Sequence, residues 1–598
     1  MESTLIFRTT QTIAGVYDSL LGGVFVRPGT PEIALSLFGG FFLIACTAVA
    51  VEHLTGKRRF GHLALFCSIA CFVILNFLLN QPWDELFVNL RHSLHFAESN
   101  NFSFNRTQNI EAIVDFLPFF VIGLLGKLGF SLMAMALIQS CLGGLLCILA
   151  FKYFLGSLGA RGAIQSACIL GFSLYPPLVF NSAQGFATSL FSAAILWAIV
   201  LLYFSERKHL AFLLLALIPL IRIEGLMVVG LLYGHFMWQH AFSKPSSERL
   251  RMGARMIIVG LLILVPTLLL SIYRLMEFGS PLAVCVKYKS AFGNFHYLKL
   301  GIRNLIKDLH AAYVPPLLVA FAIGLLRFKH PVLKRLIAPL LILCLFITPY
   351  YLSGGDWFPP FWGRYLLPLS LFCMFCIGSL VCLAIKDSAP GVFRLMGSLL
   401  AAISFGYYLS PFSHGLAVMK QQLASINVGM GSLRIQDLSM IGKHLERTTH
   451  PSDVVASAEV ATLMYFSRRE ALDLLGIANP EIASQPSTLT SNLAYRKRNP
   501  SLVAKYQPAI VWLYDFTTLG RQDRPDRQII ENLKQLERDY SPANEYRVGG
   551  VGALRKLGYQ PIAVFYGNNF STLYFVASHA VKSHVQKLKQ LGFRMSSP

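Results

Sequence analysis

The fold of this chain is decided by the stretch HLALFCSIACFVILNFLLNQPWDELFVNLRHSLHFAESNNFSFN, residues 62–105. Residues 62–80 form an almost unbroken apolar run, and an acidic pair, Asp84 and Glu85, follows it closely. An apolar run of this length can cross the hydrocarbon of a bilayer as a helix. Carboxylates placed beyond its end avoid the cost of lying in hydrocarbon. The stretch therefore predicts a membrane span that delivers two acids to one face of a membrane.

Similar apolar runs recur along the chain, and the overall composition agrees with them. The 598 residues are 54% hydrophobic and 14% charged, with a mean hydropathy of +0.54. Soluble domains carry about 25% charged residues, so this composition predicts a polytopic membrane protein. We place an N-terminal segment at 1–32, a transmembrane domain at 33–411 and a soluble C-terminal domain at 412–598.

About twelve transmembrane helices are predicted from the apolar runs. They cover 33–52, 62–80, 129–153, 163–180, 185–204, 208–222, 225–242, 256–276, 310–327, 333–351, 365–386 and 395–411. The shorter apolar segment 112–126 is predicted to lie in the membrane interface as part of the first outer loop. The loops on one side hold 17 basic residues against Glu206, Glu248 and Asp387, so that side should be cytoplasmic.

The net charge of +22 does not by itself indicate a nucleic-acid-binding protein. Many of the charges lie in short loops between apolar runs, where they fit the positive-inside rule and an anionic lipid surface rather than nucleic acid. The eleven cysteines form neither a disulfide framework nor a CxxC metal pattern. No signal peptide is expected, because the first 32 residues lack a cationic start followed by an apolar core.

The C-terminal region alternates patterns typical of strands and helices. The buried-strand candidates are DVVASA, PAIVWLYD, PIAVFY and TLYFVA, and the helical candidates lie near 432–448, 528–538 and 580–592. This alternation predicts an α/β or α+β domain outside the membrane. Residues 412–598 carry 22 basic against 14 acidic side chains. They could guide an anionic or polysaccharide acceptor, or only pack on the membrane part.

Spacing gives the first outer loop a chemical character. If 84–98 is helical, Asp84, Arg91 and His95 share one face with Val88. A polar cap on a membrane helix is the alternative interpretation. His92 and His95 also form an HxxH pair, but no further ligand pattern accompanies it, so it does not predict a metal site.

Three further loops should bring charged groups to the same membrane face. They hold Asp356 and Arg364 in YYLSGGDWFPPFWGRYLLP (350–368), Arg222 and Glu224 in RIEG (222–225), and Lys287 and Lys289 in PLAVCVKYKSAFG (281–293). The two glycines before Asp356 allow a ligand to approach the backbone closely. Trp83, Trp357 and Trp362 flank the acids and form either an aromatic wall of a site or an interfacial belt.

Acids and cations at one membrane face suit the transfer of a sugar from a lipid-linked phosphate. A general base takes a proton from the acceptor hydroxyl, while cations or a metal stabilise the leaving phosphate. The chain shows no Walker A loop and no GxGxxG after a strand, so nucleotide binding is not expected. A polytopic transporter or lipid flippase is the alternative. The sequence shows neither the repeated halves nor the acids near the membrane midplane that are typical of transporters.

The ordered set of motifs resembles the GT-C glycosyltransferases, in particular the mycobacterial terminal β-(1→2)-arabinofuranosyltransferase family and its bacterial relatives. The pieces are WDELFVNLRHSLHFAESNNFSFN with NIEA (109–112), FATS (186–189), RIEG, the loop ending at Lys289, GGDW with GR (363–364), and LDLLGIANPEIA (472–483). The likeness spans about residues 80–485. It implies a GT-C fold in a bacterial inner membrane, with the C-terminal domain on the periplasmic or extracytoplasmic side.

The resemblance also implies roles for the outer-loop residues. Asp84 maps onto the catalytic base of an inverting reaction whose donor is a polyprenyl-phosphate sugar. The candidate donor-phosphate ligands are Arg364, Lys289, Arg222 and Arg91, and the substrate or metal candidates are Glu85, Glu111, Glu224 and Asp356. A divalent metal (Mg, Mn or Ca) would be held by Glu85 and Asp356. The acceptor could be a glycan, a lipid-linked saccharide or a protein of the cell envelope.

Overall fold

The computed structural model describes most of the chain, which divides into two compact units. The described residues are 30–79, 82, 84–160, 162–242, 246–289, 295–312, 314–352, 364–386, 430–486, 497, 499–518, 551–566 and 570–596. The first unit, here called the helical unit, comprises Met1–Pro82, Asp115–Ile272 and Gly293–Ser425. The second, here called the sheet unit, comprises Trp83–Val114, Tyr273–Phe292 and Ile426–Pro598.

Helices dominate the chain up to residue 386. In chain order they are α1 (Thr30–Thr55), α2 (Arg59–Leu78), α3 (Leu86–Ser99), α4 (Phe116–Lys127), α5 (Leu132–Ser157), α6 (Ala163–Ser173), α7 (Pro176–Ser182), α8 (Thr188–Phe204), α9 (Lys208–Ile221), α10 (Gly225–Phe242), α11 (Ser246–Phe278), α12 (Val284–Lys289), α13 (Phe295–Ala311), α14 (Val314–Phe328), α15 (Pro331–Leu352) and α16 (Leu367–Lys386). Of these, α3 and α12 belong to the sheet unit.

The chain is a multi-pass membrane protein by the length and apolarity of these helices. Within the described residues, six helices are long and apolar enough to cross a membrane, and the number is eight if two bent pairs each count as one span. The bent pairs are α6 with α7, at 55°, and α13 with α14, at 70°. A helix lies at eleven of the twelve predicted spans, and the twelfth, 395–411, falls outside the described residues.

Length explains why fewer helices qualify than the sequence predicts. Helix α8 has 17 residues and α9 has 14. At about 1.5 Å per residue they reach only about 26 Å and 21 Å, less than the hydrocarbon thickness of about 30 Å. The prediction of about twelve crossings therefore stays a prediction.

Close packing of small residues sets the position of the FATS segment in the helical unit. A Cβ at Gly143 of α5 would overlap the backbone N of Leu190 in α8, so a larger residue there would push the two helices apart. The hydroxyl of Ser189 donates to the carbonyl of Ser140 at 2.6 Å, which ties the first turn of α8 to α5. Small residues at such contacts are typical of helix pairs in membranes.

The C-terminal part of the sheet unit forms a six-stranded mixed sheet flanked by helices. Its elements are α17 (Met430–Thr448), β1 (Val454–Ser457), α18 (Thr462–Ser467), β2 (Glu470–Asp473), α19 (Pro480–Ala483), α20 (Leu502–Tyr506), β3 (Ile510–Thr518), α21 (Val551–Lys556), β4 (Tyr559–Tyr566), β5 (Phe570–Ala577), α22 (Ser578–Gln590) and β6 (Arg594–Ser596). The strand order is β2-β1-β3-β5-β4-β6. Strand β1 pairs in parallel with β2 and β3, whereas the other pairs are antiparallel.

Candidate functional site

In the helical unit, two of the predicted phosphate-binding arginines lie against one aromatic ring. The guanidinium carbon of Arg222 is 5.4 Å from the ring centroid of Tyr365, and that of Arg364 is 5.2 Å from the same centroid. Tyr350 stacks on Tyr365 with ring centroids 3.7 Å apart. Arg364 also lies 5.6 Å from the ring of Phe186. The RIEG, GR and FATS segments, which are remote in sequence, therefore meet around Tyr365.

Two carboxylates hold the Arg222 guanidinium in this cluster. One oxygen of Asp115 lies 3.3 Å from Nη1, and Oε1 of Glu224 accepts from Nη2 at 3.1 Å. The side chains of Arg222 and Asp115 are 7% and 1% exposed, so the pair is shielded from water. A buried cation keeps its charge only when it is paired and hydrogen bonded. The two acids thus fix the position of Arg222 and balance its charge.

Asp115 is a member of this cluster that the sequence did not single out. It directly precedes the apolar helix α4, and its backbone carbonyl accepts from the N–H of Phe119. An acid placed at the start of an apolar helix was the available signal, because such a position favours negative charge.

In the sheet unit, the carboxylate of Asp84 is oriented by the N-terminus of α18. Oδ1 accepts from the backbone N–H of Thr462 at 3.1 Å and from its hydroxyl at 2.5 Å. Asp84 and Glu85 form the turn before α3, and both are half-buried. Because both donors reach the same oxygen, Thr462 holds Oδ1 of Asp84 in place.

Arg91, on the following turns of α3, is enclosed by backbone carbonyls. Its side chain donates to the carbonyl of Phe104 at 2.6 Å, to that of Arg469 at 2.5 Å and to that of Met464. The residue is 1% exposed. Burial lowers the pKa of Arg91 to about 10, which leaves the guanidinium charged at neutral pH. This cation joins the first outer loop to the segment that precedes β2.

The HxxH histidines are satisfied by backbone groups. Nδ1 of His92 lies 2.8 Å from the carbonyl of Val88, and its Nε2 accepts from the N–H of Ala112 at 3.1 Å. A carbonyl only accepts, so His92 carries its proton on Nδ1 and has no lone pair left for a metal. Nδ1 of His95 likewise faces the carbonyl of Ser103 at 2.9 Å. Burial lowers the pKa of His92 to about 4 and that of His95 to about 3.

Glu111 forms a buried ion pair with Arg274 of α11. Nε of Arg274 lies 2.7 Å from one carboxylate oxygen and Nη2 donates to the other at 2.8 Å, a two-point contact. The two side chains are 1% and 2% exposed. Arg274 was not identified from the sequence, because it lies inside an apolar run and its partner is 163 residues away.

The lysine-bearing segment α12 is built into the sheet unit as well. Nζ of Lys497 donates to the carbonyl of Lys287 at 2.8 Å, and the N–H of Val284 donates to the carbonyl of Glu111 at 2.9 Å. Tyr288 is 1% exposed and belongs to the core under the sheet. These contacts leave Lys287 exposed and Lys289 half-buried.

Several predicted site residues are not brought together by the described part of the chain. Trp83, Asp356, Trp357 and Trp362 lie outside the described residues. Asp84 belongs to the sheet unit and Arg364 to the helical unit. The prediction that these two residues meet at the same membrane face therefore stays a prediction. Across the described ranges, no group of three His, Cys, Asp or Glu side chains could hold a metal ion.

Comparisons with known proteins give one partial family match and distant structural likenesses. A family profile described as "Domain of unknown function (DUF8728)" matches residues 427–574. No curated protein matches the chain. The crystal structure of ArnT from Cupriavidus metallidurans in the apo state is similar with a TM-score of 0.43, at 12% identity over 86% of this chain and 98% of that chain. For the same protein bound to undecaprenyl phosphate the TM-score is 0.46, with the same identity and coverage.

Proposed function

We propose that this chain is an inverting GT-C glycosyltransferase of a bacterial inner membrane. It takes a sugar from a polyprenyl-phosphate donor and transfers it to a cell-envelope acceptor on the outer side of that membrane. The observation that carries the proposal is the meeting of Arg222, Arg364 and Phe186 around Tyr365. Three motifs of the GT-C resemblance converge there, with two guanidinium groups beside one aromatic ring.

The chemistry of that cluster suits a phosphate leaving group. A guanidinium matches two phosphate oxygens with parallel N–H groups and is charged at every relevant pH. Arg364 binds the donor phosphate, and Arg222, fixed by Asp115 and Glu224, lies against the same Tyr365 ring and helps to position it. Lys289 is a further candidate for this contact. Arg91 already donates to three carbonyl groups, so we give it a positioning role in the first outer loop.

Asp84 is the proposed general base. Its carboxylate removes the proton of the acceptor hydroxyl while that oxygen attacks the anomeric carbon. The bond between the anomeric carbon and the phosphate oxygen breaks, and polyprenyl phosphate leaves with the bonding electron pair. Attack from the opposite face inverts the anomeric centre. The hydrogen bonds from Thr462 support this role because they hold the carboxylate in one orientation.

A divalent metal held by Glu85 and Asp356 stays a prediction. Among the described residues, Glu85 belongs to no group of three His, Cys, Asp or Glu side chains, and its proposed partner Asp356 lies outside them. No step of the proposed reaction is therefore routed through Mg, Mn or Ca. Glu85 and Asp356 remain the proposed contacts to sugar hydroxyls.

The C-terminal domain is proposed to act on the periplasmic side and to complete the catalytic loops. The segments that carry Asp84, Glu111 and Lys289 belong to the same compact unit as this domain. Its excess of basic residues additionally suits an anionic glycan acceptor. Arabinofuranose is a candidate for the transferred sugar, and the motif resemblance is its only support.

The decisive test is Asp84→Asn in permeabilised membranes from a deletion strain, which supply the native donor and acceptor. Release of polyprenyl phosphate and transfer of the sugar to envelope glycans are measured together. We expect both to fall at least about 100-fold, the usual scale for general-base removal. Glu98→Gln, at the exposed end of α3, is the matched control and should react like the wild type.

The same measurement separates the enzyme from a transporter or flippase. A flippase moves the lipid-linked sugar but leaves the bond between sugar and phosphate intact. Release of polyprenyl phosphate that is absent from the deletion strain and unaffected by Asp84→Asn would remove Asp84 as the base. No protein-dependent release with any variant would remove the glycosyltransferase assignment altogether.

A further inference from the structure

Helix α13 has one buried face and two exposed faces. On the inner face, Tyr297 is fully buried and Asp308 is 8% exposed. The hydroxyl of Tyr351 in α15 donates to Oδ2 of Asp308 at 2.6 Å, which fixes the helix to its neighbour. The rotation of α13 about its own axis is therefore set, and with it the direction of the two outer faces.

The first outer face is a stripe of cations. Lys299, Arg303 and Lys307 recur every four residues, so they lie above one another on one side of the helix. All three are exposed, and within the described residues none makes an ion pair. Like charges at this spacing repel one another and destabilise a helix. A fixed negative charge placed along the stripe would therefore stabilise α13.

The second outer face is apolar and lies beside the cationic stripe. Phe295, Ile302 and Ile306 are 79%, 52% and 63% exposed. Their spacing of seven and four residues puts them on one line next to the cations. An apolar line flanked by Lys and Arg is the pattern of a helix that lies in the plane of a membrane surface, with its apolar side in the acyl boundary.

The bend that follows α13 agrees with this placement. Helix α14 is apolar and its axis is turned by 70° from that of α13. If α13 continued through the hydrocarbon as a span, its three exposed cations would lie in the membrane interior at high cost. A helix turned away from the span keeps its cations at the depth of the headgroups.

We propose that α13 is a docking surface for anionic phospholipids. The phosphate groups of their headgroups bind along Lys299, Arg303 and Lys307, and the acyl chains cover Phe295, Ile302 and Ile306. Charge complementarity selects anionic over zwitterionic lipids, since each basic residue at an anionic surface adds about 1 kcal/mol, or about a fivefold factor. This site is separate from the Tyr365 cluster and does not depend on the proposed transferase activity.

Hydrogen exchange of the full-length protein in nanodiscs tests the proposal. Discs of phosphatidylcholine alone are compared with discs that also contain phosphatidylglycerol. In the wild type, phosphatidylglycerol should slow exchange in peptides covering 295–311. In Lys299→Gln/Arg303→Gln/Lys307→Gln this slowing should disappear, with a loss in phosphatidylglycerol affinity of about 100-fold. Equal exchange of the wild type in both lipids would overturn the proposal.

Two further variants keep the result interpretable. Lys582→Gln/Lys587→Gln/Lys589→Gln removes the same charge from α22 and should retain the lipid effect. Lys299→Arg/Arg303→Lys/Lys307→Arg keeps the charge of the stripe and should behave like the wild type, even if the neutral variant folds poorly. Loss of the effect in the charge-preserving variant would contradict an electrostatic site. Protection by undecaprenyl phosphate but not by phosphatidylglycerol would replace phospholipid with the lipid-linked donor and overturn the proposal.

Discussion

At the scale of single residues, the carboxylate of Asp84 is oriented by a partner that no sequence pattern could indicate. Thr462 lies 378 residues further along the chain, yet its N–H and its hydroxyl both donate to Oδ1 of Asp84. Spacing along a helix predicts which residues share a face, but it says nothing about partners this remote. Local patterns therefore singled out Asp84 and Arg364 and missed Thr462 and Asp115.

Replacing Thr462 by Val should slow sugar transfer about tenfold, because a hydrogen bond to a charged group is worth about 1.5–3 kcal/mol. Val keeps the branched shape and removes only the hydroxyl that orients Asp84. Thr462→Ser keeps the hydroxyl and should transfer near the wild-type rate. The rates are measured as polyprenyl phosphate released from permeabilised membranes. Undiminished transfer by Thr462→Val, or an equal loss in Thr462→Ser, would show that this hydroxyl does not position the base.

Arg364→Lys should weaken the binding of undecaprenyl phosphate about tenfold, because an ammonium cannot offer the planar pair of N–H groups that a phosphate accepts. The affinity is measured on purified protein by the rise in melting temperature with added lipid. Arg335→Lys, an exposed position in α15, is the control with the same change of side chain. If both variants bind the lipid like the wild type, the Tyr365 cluster is not the phosphate site.

At the scale of elements, long periodic or apolar segments were predictable and short ones were not. Strands β1, β3, β4 and β5 lie at the four segments identified from their buried-strand patterns. The two edge strands were missed, since β2 has four residues with acidic ends and β6 has three. They are strands only because a neighbouring strand supplies hydrogen bonds, which is a tertiary effect. The predicted helix near 528–538 lies outside the described residues.

A directed chain of hydrogen bonds links α17, β5 and α22. Nδ1 of His584 lies 3.2 Å from the carbonyl of Thr448, so it carries the proton, and Nε2 accepts from the hydroxyl of Tyr574 at 2.7 Å. The Tyr574 oxygen in turn accepts from Nε2–H of His444 at 3.1 Å. His584 must be neutral for this order to hold, because its Nε2 accepts a hydrogen bond and can do so only without a proton.

Acid should therefore loosen these three elements. Burial lowers the pKa of His444 to about 3 and that of His584 to about 4, from an ordinary 6.5. Below pH 6.5 the unfolded chain binds protons that the folded chain does not, so the free energy of unfolding falls as the pH drops. The slope is at most about 1.4 kcal/mol per pH unit for each histidine.

Hydrogen exchange of α17 and α22 in the full-length protein, between about pH 7 and about pH 5, measures this loss. His584→Gln removes one titrating group and should roughly halve the slope for these helices. If the opening free energy of these helices does not change over this pH range in either protein, the proposed hydrogen-bond chain through neutral His584 is wrong.

At the scale of the whole molecule, each compact unit is built from segments that are remote in sequence. The sheet unit gathers Trp83–Val114, Tyr273–Phe292 and Ile426–Pro598. The sequence predicted a boundary at 412, which lies outside the described residues, and it treated the first loop as part of the membrane domain. Hydrophobic patterns report burial along each segment, but they cannot report which segments are buried together. Asn105 illustrates the gap, since its side-chain amide exchanges two hydrogen bonds with the backbone of Ala471.

Ending the chain at Ser425 should consequently unfold the first outer loop rather than only weaken acceptor binding. Arg91 would lose two of its carbonyl partners, and breaking the contacts of a buried cation costs about 3–5 kcal/mol. Trypsin should then cut after Arg91, which is 1% exposed in the full chain, and peptide mass spectrometry detects the new ends. Cleavage at Lys57, exposed in the helical unit, should be equal in both proteins and serves as the internal control. Continued protection of Arg91 in the shortened chain would mean that the first loop folds without the C-terminal region. Acceptor binding would then be the remaining proposed role of that region.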